Sequence, residues 1–187
     1  MDPRLSLILG GVRSGKSAFV EKLARELDGP TLYVATGLPT DLEMKERIHR
    51  HRESRPDHWT TVEEPLDLAG RLEKAKAGAD PPRVILIDSV DLWVAHILVE
   101  HQGQSSESVE CNVLSEVDRL LELISLTPAS YLLVSGEVGL SLVSLETLGR
   151  RFQDLLGLVN QRVAAAANRV YLVVAGMPME IKKAAAD

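Results

Sequence analysis

Short apolar runs alternate with longer amphipathic segments along most of the chain. Five runs rich in Leu, Val and Ile predict β-strands at residues 5–9, 31–36, 84–87, 131–134 and 170–174. Each run is apolar at successive positions rather than at every second one. This pattern is typical of parallel strands that helices cover on both faces of a sheet.

Between these runs the apolar residues recur with the period of an α-helix. In the first such segment one apolar face carries Val20, Leu23, Ala24 and Leu27. The same period predicts helices at about 17–27, 41–54, 66–77, 89–101, 107–126 and 146–168, with a polar loop at 102–108. Regular alternation of strands and helices predicts a three-layer α/β domain with a mostly parallel central sheet.

Length and composition fit one globular domain with an aliphatic core. A chain of 187 residues is ample for one domain and short for two, so we expect a single domain over residues 1–187. Hydrophobic residues make up 45% and charged residues 26%, the usual balance of a soluble protein. Aromatic residues make up only 4%, which leaves the core to Leu, Val, Ile and Ala.

Charge and hydropathy exclude two classes of partner. The net charge of −6 argues against a nucleic-acid partner, which would require a basic surface. No apolar run approaches the roughly 20 residues that cross a bilayer, and residues 5–9 are too few for a secretory signal. Cys111 is the single cysteine, so no intrachain disulfide can form. These features predict a cytoplasmic protein without a membrane span.

A phosphate-binding pattern lies between the first predicted strand and the first predicted helix. It matches G-x-x-x-x-G-K-S/T at every fixed position and reads Gly10-Gly11-Val12-Arg13-Ser14-Gly15-Lys16-Ser17. Glycines allow backbone N–H groups to turn toward phosphate oxygens, and the helix N-terminus adds a partial positive charge. Lys16 is expected to reach the outer phosphates and the Ser17 hydroxyl to ligate Mg²⁺. The alternative, a glycine turn that fits by chance, is disfavoured by the flanking strand and helix.

Asp88 directly follows the apolar run at residues 84–87. A carboxylate at the end of a buried strand is typical of the acidic residue that helps to hold magnesium in phosphate-loop enzymes. The alternative is a helix-capping role before Ser89 and Val90. The phosphate loop favours the metal role, and Asp91 is a reserve candidate for it.

A basic segment that contains histidines lies at residues 41–55. On a helix, one face would carry Met44, Ile48, His51 and Arg55. Arginines flank His51 although the chain is acidic overall, which indicates a local attraction for an anion. The alternative is a surface helix with an interfacial histidine.

The run from Glu43 to Trp59 has the pattern E-M-x-x-R-I-x-x-H-x-x-x-R-P-x-H-W. It resembles the bifunctional adenosylcobinamide kinase/adenosylcobinamide-phosphate guanylyltransferase family of cobalamin biosynthesis. The resemblance extends over about residues 7–183 and includes residues 10–17, 32–36, 137–139 and 159–167. Two departures stand out. The family has two adjacent histidines where this chain has Arg50 and His51, and it often has Asn where this chain has Gly136.

The resemblance implies two reactions on one chain. The aminopropanol hydroxyl of adenosylcobinamide is phosphorylated, and GMP from GTP is then joined to that phosphate through a guanylylated histidine, which matches His51. ATP, GTP and Mg²⁺ are the implied cofactors, and a homotrimer is the implied assembly. Besides residues 10–17, the implied nucleotide contacts are Thr36, Gly37, Leu38, Arg52, Glu53, Ser54, Arg55, Glu63 and Asp88.

The chemistry of histidine is consistent with this implication. A neutral imidazole can attack a phosphorus atom and later leave it, which divides one displacement into two easier ones. Helix 41–55 must then lie over the nucleotide. Two other interpretations stay open: a kinase without guanylyl transfer, in which His51 only binds phosphate, and a regulatory nucleotide-binding module.

Overall fold

The computed structural model of the chain describes residues 5–27, 29–39, 42–53, 55–78 and 80–183. Four side chains of the second helix lie outside this description, namely those of Glu43, Met44, Arg47 and His51.

The described residues form a seven-stranded sheet with the strand order β3-β2-β4-β5-β1-β6-β7. Neighbouring strands are parallel except for β6 and β7, which are antiparallel. The strands are β1 (Leu5–Gly10), β2 (Thr31–Ala35), β3 (Thr60–Glu63), β4 (Val84–Asp88), β5 (Ser130–Gly136), β6 (Arg169–Val174) and β7 (Met177–Lys182).

Helices cover both faces of the sheet, which confirms the predicted three-layer α/β architecture of the phosphate-loop type. They are α1 (Lys16–Glu26), α2 (Leu42–Glu53), α3 (Leu68–Lys76), α4 (Val90–Glu100), α5 (Ser106–Leu126) and α6 (Thr147–Ala166). Successive side chains of β1 enter opposite cores, because strand residues alternate between faces. Leu7 packs with residues of α3 to α6, whereas Ile8 packs with residues of α1.

The five predicted strands are confirmed, but the two outermost strands were not predicted. β3 is only four residues long, reads Thr-Thr-Val-Glu and is half exposed at one edge. β7 contains Pro178 and is exposed over most of its length at the other edge. Edge strands have one neighbour and less apolar contact, so they lack the continuous apolar run that marks the inner strands.

The six predicted helices are confirmed, with ends that differ by one or two residues. The predicted loop at 102–108 is shorter, since α5 begins at Ser106. Ser105 caps this helix, because its hydroxyl oxygen accepts the backbone N–H of Ser108 at 3.2 Å. Helix α2 ends at Glu53. The prediction that Arg55 belongs to the same helical face as Ile48 is therefore wrong, and Pro56 accounts for the early end of the helix.

Every helix within the described ranges is either too short or too polar to cross a membrane.

The packing of α6 on the sheet generates a prediction about stability. Leu156 is completely buried, so Leu156→Ala is expected to lower the free energy of unfolding by about 2–5 kcal/mol through lost apolar contact and a residual cavity. Urea denaturation followed by circular dichroism measures this change. Leu158 lies on the same helix but is 37% exposed, so Leu158→Ala serves as the matched control with a change of about 1 kcal/mol or less. Equal losses in the two variants would contradict the packing described for α6.

Candidate functional site

The phosphate-binding pattern forms the connection between β1 and α1. Gly10 is the last residue of β1 and Lys16 the first residue of α1. Gly15, the N-cap residue, has φ of 100°, a left-handed conformation that glycine adopts without steric cost. Arg13 also has a positive φ, 56°, which is uncommon for a residue with a side chain. Left-handed residues at two points of one short loop curl its backbone into a concave shape that suits an anion.

Polar groups within this loop fit a phosphate ligand. Lys16 Nζ donates hydrogen bonds to the carbonyl oxygens of Gly10 at 2.7 Å and Gly11 at 2.8 Å, so the ammonium group lies over the loop. Ser14 Oγ is buried and has no hydrogen-bond partner among the described residues. A cation and an unpaired hydroxyl beside a helix N-terminus are groups that an anion would satisfy.

The turn between β6 and β7 supports the back of the loop. The Gly176 N–H donates to the carbonyl oxygen of Ser14 at 2.8 Å. A Cβ on Gly15 would lie 3.1 Å from Gly176 Cα, and a Cβ on Gly10 would lie 2.5 Å from the carbonyl oxygen of Val173. Glycine is therefore required at positions 10 and 15 by close backbone packing, and at position 15 by conformation as well.

Asp88 and the phosphate loop both lie at the carboxyl ends of the parallel strands. Val134 of β5 pairs with Ile8 on one side and with Asp88 on the other, and Ala35 of β2 pairs with both Asp88 and Glu63. At about 4.8 Å per strand step, Asp88 is about 10 Å from β1 and Glu63 about 19 Å from it. The structure thus brings Asp88 close to the phosphate loop and leaves Glu63 four strands away.

Thr36 joins the end of β2 to the end of β4. Its N–H donates to the carbonyl oxygen of Asp88 at 3.1 Å, and its hydroxyl both donates to the Ser89 carbonyl and accepts the Ser89 N–H, each at 2.7 Å. Thr36 is fully buried, whereas Leu38, two residues on, is 39% exposed. The hydroxyl of Thr36 is therefore used within the protein, where it positions the backbone around Asp88.

Tyr33, which the sequence pattern identifies only as a strand residue, contacts Asp88 directly. Its hydroxyl donates to Asp88 Oδ2 at 2.5 Å. Burial, followed by the negative charge of Asp88, raises the pKa of Tyr33, so the phenol keeps its proton and acts as the donor. No local signal separates this residue from an ordinary core tyrosine, because its partner lies on another strand.

Asp91 lies in the first turn of α4, shortly after Asp88. Its Oδ2 would be 3.1 Å from a Cβ on Gly136, and its Oδ1 is buried without a hydrogen-bond partner in the described part of the chain. An unpaired buried carboxylate oxygen is costly unless a cation or a donor reaches it. Together with Ser17 and Asp88, this residue provides hard oxygen ligands, which are the kind that Mg²⁺ prefers. The available oxygens therefore fit Mg²⁺.

Helix α2 packs against the end of β2. Ile48 Cδ1 is 3.7 Å from the position of a Cβ on Gly37, which follows β2 by two residues. The helix therefore lies at the edge of the sheet where the strands end and the phosphate loop opens. His51 belongs to the same helix, about one turn after Ile48, and its side chain lies outside the described residues. The position of α2 is consistent with the hypothesis that this helix covers the nucleotide.

The end of α2 carries exposed side chains. Arg52 and Glu53 are both exposed, and Glu53 Oε2 lies 3.4 Å from His49 Nδ1. Ser54, another predicted nucleotide contact, lies outside the described residues. Arg52 and Glu53 therefore remain predicted nucleotide contacts whose side chains are open to solvent.

Arg55 lies just beyond α2 and contacts the aromatic residues beneath it. Its guanidinium carbon is 3.6 Å from the centroid of the Tyr33 ring, a cation–π contact. The Trp59 ring is roughly parallel to that of Tyr33, with centroids 6.5 Å apart. Arg55 is therefore connected to Asp88 through one tyrosine.

The segment at residues 159–167 contributes through Asn160, which holds the end of β5. Its Nδ2 donates to the carbonyl oxygen of Gly136 at 3.0 Å, and its Oδ1 accepts the hydroxyl of Ser135 at 2.6 Å. The N–H of Glu137, the next residue, donates to the carbonyl oxygen of Gly10 at 3.0 Å. Helix α6 thus fixes the strand end that in turn fixes the start of the phosphate loop.

Comparison with known proteins gives consistent matches over nearly the whole chain. The family model of cobinamide kinase/cobinamide phosphate guanyltransferase (CobU) matches residues 6–181. The chain is 41% identical over 176 residues to the bifunctional adenosylcobalamin biosynthesis protein CobP of Pseudomonas aeruginosa and covers 96% of it. It is 38% and 37% identical to the proteins named CobU of Escherichia coli and Salmonella typhimurium, and covers 98% of each. Each match includes 94% of this chain, and the resemblance noted in the sequence is confirmed.

The close contact between Gly15 and Gly176 generates a prediction about nucleotide binding. Gly15→Ala places a Cβ 3.1 Å from Gly176 Cα at a φ of 100°, so the loop must distort. We expect the affinity for the α,β-methylene analogue of GTP to fall about 10- to 100-fold, from the cost of a left-handed alanine and the displaced turn. Isothermal titration calorimetry measures this affinity.

Gly103→Ala is the matched control, because a Cβ at that position meets open space. It is expected to bind the analogue as tightly as the unchanged protein does. If Gly15→Ala binds equally tightly, the loop is not the phosphate site.

Proposed function

Since this chain belongs to the cobinamide kinase/cobinamide phosphate guanyltransferase family, we propose that it phosphorylates adenosylcobinamide and then transfers GMP to the product, giving adenosylcobinamide-GDP. The proposal is carried by one observation, which is that the phosphate loop, Asp88 and helix α2 all lie at the carboxyl ends of the parallel strands. The substrates are ATP or GTP and a corrinoid, with no nucleic acid as partner.

The kinase step is a phosphoryl transfer to an alcohol. The aminopropanol hydroxyl oxygen attacks the γ-phosphorus, an O–P bond forms, and the bond to the β–γ bridging oxygen breaks. The nucleoside diphosphate leaves, and the hydroxyl proton passes to solvent. Lys16 and the N–H groups of residues 10–17 orient the phosphates and neutralise their charge, which is most of what this reaction requires.

The guanylyl transfer consists of two displacements at the α-phosphorus of GTP. In the first, a nitrogen of His51 attacks, an N–P bond forms, the bond to the α–β bridging oxygen breaks and pyrophosphate leaves. In the second, a phosphate oxygen of adenosylcobinamide phosphate attacks the same phosphorus, and the N–P bond breaks to release the neutral imidazole. Arg55, near the end of α2, would stabilise negative charge on the phosphate oxygens.

Ser17 and Asp88 would hold Mg²⁺, with Asp91 nearby as a further carboxylate. When bound, the ion neutralises charge on the departing phosphates. Tyr33 and Thr36 both support the ligand residue Asp88. The Tyr33 hydroxyl bonds the Asp88 carboxylate, and the Thr36 N–H bonds the Asp88 backbone carbonyl. This support keeps Asp88 in place before the nucleotide arrives.

We propose that the chain assembles as a homotrimer, as the family resemblance implies. Support comes from aliphatic side chains that a single chain leaves in water. In the loop after β5, Leu140, Leu142 and Leu145 are 84%, 94% and 95% exposed, and on β7 Met177 and Ile181 are 64% and 59% exposed. Clusters of exposed apolar residues of this kind are typical of interaction surfaces.

A cytoplasmic location is part of the proposal. Its support is the single cysteine, Cys111, which is exposed and unpaired and therefore suits a reducing compartment.

The nucleophile assigned to guanylyl transfer generates a prediction about covalent labelling. After incubation with GTP and Mg²⁺, intact-mass spectrometry is expected to show the addition of one GMP that acid removes. His51→Ala is expected to carry no adduct. His49→Ala is the matched control, because His49 lies on the same helix with a side chain 70% exposed, and it is expected to label like the unchanged protein.

Three outcomes distinguish the candidate functions. An unmodified wild-type protein, or as much adduct on His51→Ala as on wild type, would exclude His51 as the nucleophile. Phosphorylated adenosylcobinamide without any adduct would support the kinase alone. If neither the adduct nor phosphorylated adenosylcobinamide forms, the regulatory nucleotide-binding module is the interpretation that remains.

The proposed assembly generates a prediction about mass in solution. Size-exclusion chromatography with multi-angle light scattering is expected to give three times the 20.5 kDa of one chain. The mass should persist on dilution to low micromolar concentration, because the exposed apolar side chains favour association. A particle with the mass of one chain would contradict the trimer.

A further inference from the structure

Tyr33 is a buried side chain that contacts two parts of the proposed site at once. It is 1% exposed in the middle of β2. Its hydroxyl contacts Asp88 at the end of β4, and its ring contacts Arg55 just after α2. These two partners come from separate segments of the chain and have different roles in the proposed function, metal binding for Asp88 and nucleotide contact for Arg55.

The hydroxyl end of the side chain controls the orientation of a carboxylate. A hydrogen bond of 2.5 Å to Asp88 Oδ2 fixes the rotation of the carboxylate and commits one of its oxygens. The other oxygen, Oδ1, remains as the one that a cation would use.

The ring end of the side chain holds an arginine. The guanidinium carbon of Arg55 is 3.6 Å from the ring centroid, and Trp59 lies roughly parallel to the ring at 6.5 Å. Arg55 Nε is buried without a hydrogen-bond partner in the described part of the chain, and the face of the Tyr33 ring supports this side chain. Arg55 follows the last residue of α2, the helix that carries His51, by two positions.

The Tyr33 hydroxyl makes a contact that the ring alone could not make. A buried phenylalanine would fill the same space and retain the stacking with Trp59, whereas only a hydroxyl can bond Asp88. A substitution by phenylalanine therefore removes the bond to Asp88 and keeps the stacking of the ring.

We propose that Tyr33 is a positioning residue that sets the Asp88 carboxylate for Mg²⁺ through its hydroxyl and sets Arg55, at the end of α2, through its ring. The inference rests on the proposed function, since it assigns Tyr33 a role in both metal binding and guanylyl transfer. It goes beyond that function because it assigns one buried residue the positioning of both Asp88 and Arg55.

Two variants separate the two tasks. Tyr33→Phe removes the hydroxyl and retains the ring, so the dissociation constant of Mn²⁺ in the presence of the α,β-methylene analogue of GTP is expected to rise about 10-fold. Electron paramagnetic resonance of free Mn²⁺ measures this constant, and the analogue blocks transfer from the α-phosphorus. With GTP itself, labelling by GMP should fall at limiting Mg²⁺ and recover to the wild-type rate at saturating Mg²⁺.

Tyr33→Leu removes the ring as well. Its Mn²⁺ affinity is expected to match that of Tyr33→Phe, but its labelling rate should stay about 5-fold lower at saturating Mg²⁺, because Arg55 has lost its cation–π partner. If Tyr33→Leu does not fold, Arg55→Lys tests the same contact, since lysine keeps the charge and loses the flat stacking surface. That variant should lose labelling more than it loses Mn²⁺ affinity.

Tyr171→Phe is the matched control. Tyr171 packs in the same core beneath α1, in edge contact with Phe19, and its hydroxyl oxygen accepts a hydrogen bond from Arg169 Nη1 at 3.4 Å. Removal of this hydroxyl in Tyr171→Phe should leave the Mn²⁺ dissociation constant unchanged. Circular dichroism confirms that each variant is folded before its affinity is compared.

Clear results would overturn the inference. If Tyr33→Phe binds Mn²⁺ as tightly as the wild-type protein does, the hydroxyl does not position Asp88 for the metal. The same conclusion follows if saturating Mg²⁺ does not restore the labelling of Tyr33→Phe. Equal labelling by Tyr33→Leu and Tyr33→Phe at saturating Mg²⁺ removes the role of the ring. If the wild-type protein itself forms no adduct, the proposed guanylyl transfer fails, and the Mn²⁺ affinities still decide the role of the hydroxyl at Asp88.

Discussion

Parallel pairing on both sides of β5 is the constraint on which the candidate site depends. Because β5 pairs with β1 and β4 in fixed register, Val134 aligns Ile8 with Asp88 and so sets the height of Asp88 relative to the phosphate loop. A slip of one residue would turn the Asp88 side chain to the opposite face of the sheet, away from Tyr33. The apolar residues of β4 and β5, buried on both faces, oppose such a slip, so the aliphatic core determines where the polar chemistry lies.

Side-chain and backbone hydrogen bonds also order the ends of the strands. Beyond its last residue a strand has no further ladder partner, and here Thr36 and Asn160 provide substitutes by bonding the backbone of neighbouring strand ends. Tyr33 acts in the same way on a carboxylate rather than on a backbone group. These bonds are made within the protein itself, so the edge is already ordered, which is the condition for electrostatic stabilisation of a transferred phosphate.

Much of this arrangement could be predicted from local sequence, and the rest depends on contacts between distant residues. The phosphate loop and Asp88 are evident because their spacing follows directly from a strand and the turn after it. The role of Tyr33 was not predictable, since its partners Asp88 and Arg55 come from other segments. Likewise β3 and β7 carry little apolar signal, because β3 is half exposed and β7 is exposed over most of its length. Their strand partners follow from the order of the sheet, which local sequence does not reveal.

The bond between Gly176 and Ser14 has a consequence for how the molecule folds. It joins the turn between β6 and β7 to the loop after β1, so it is among the contacts of longest sequence separation. Such contacts form late, because closing a long loop costs entropy before any contact stabilises it. During synthesis the phosphate loop is therefore made well before the hairpin that supports it. The backbone support of the loop is thus acquired only when β6 and β7 have joined the sheet.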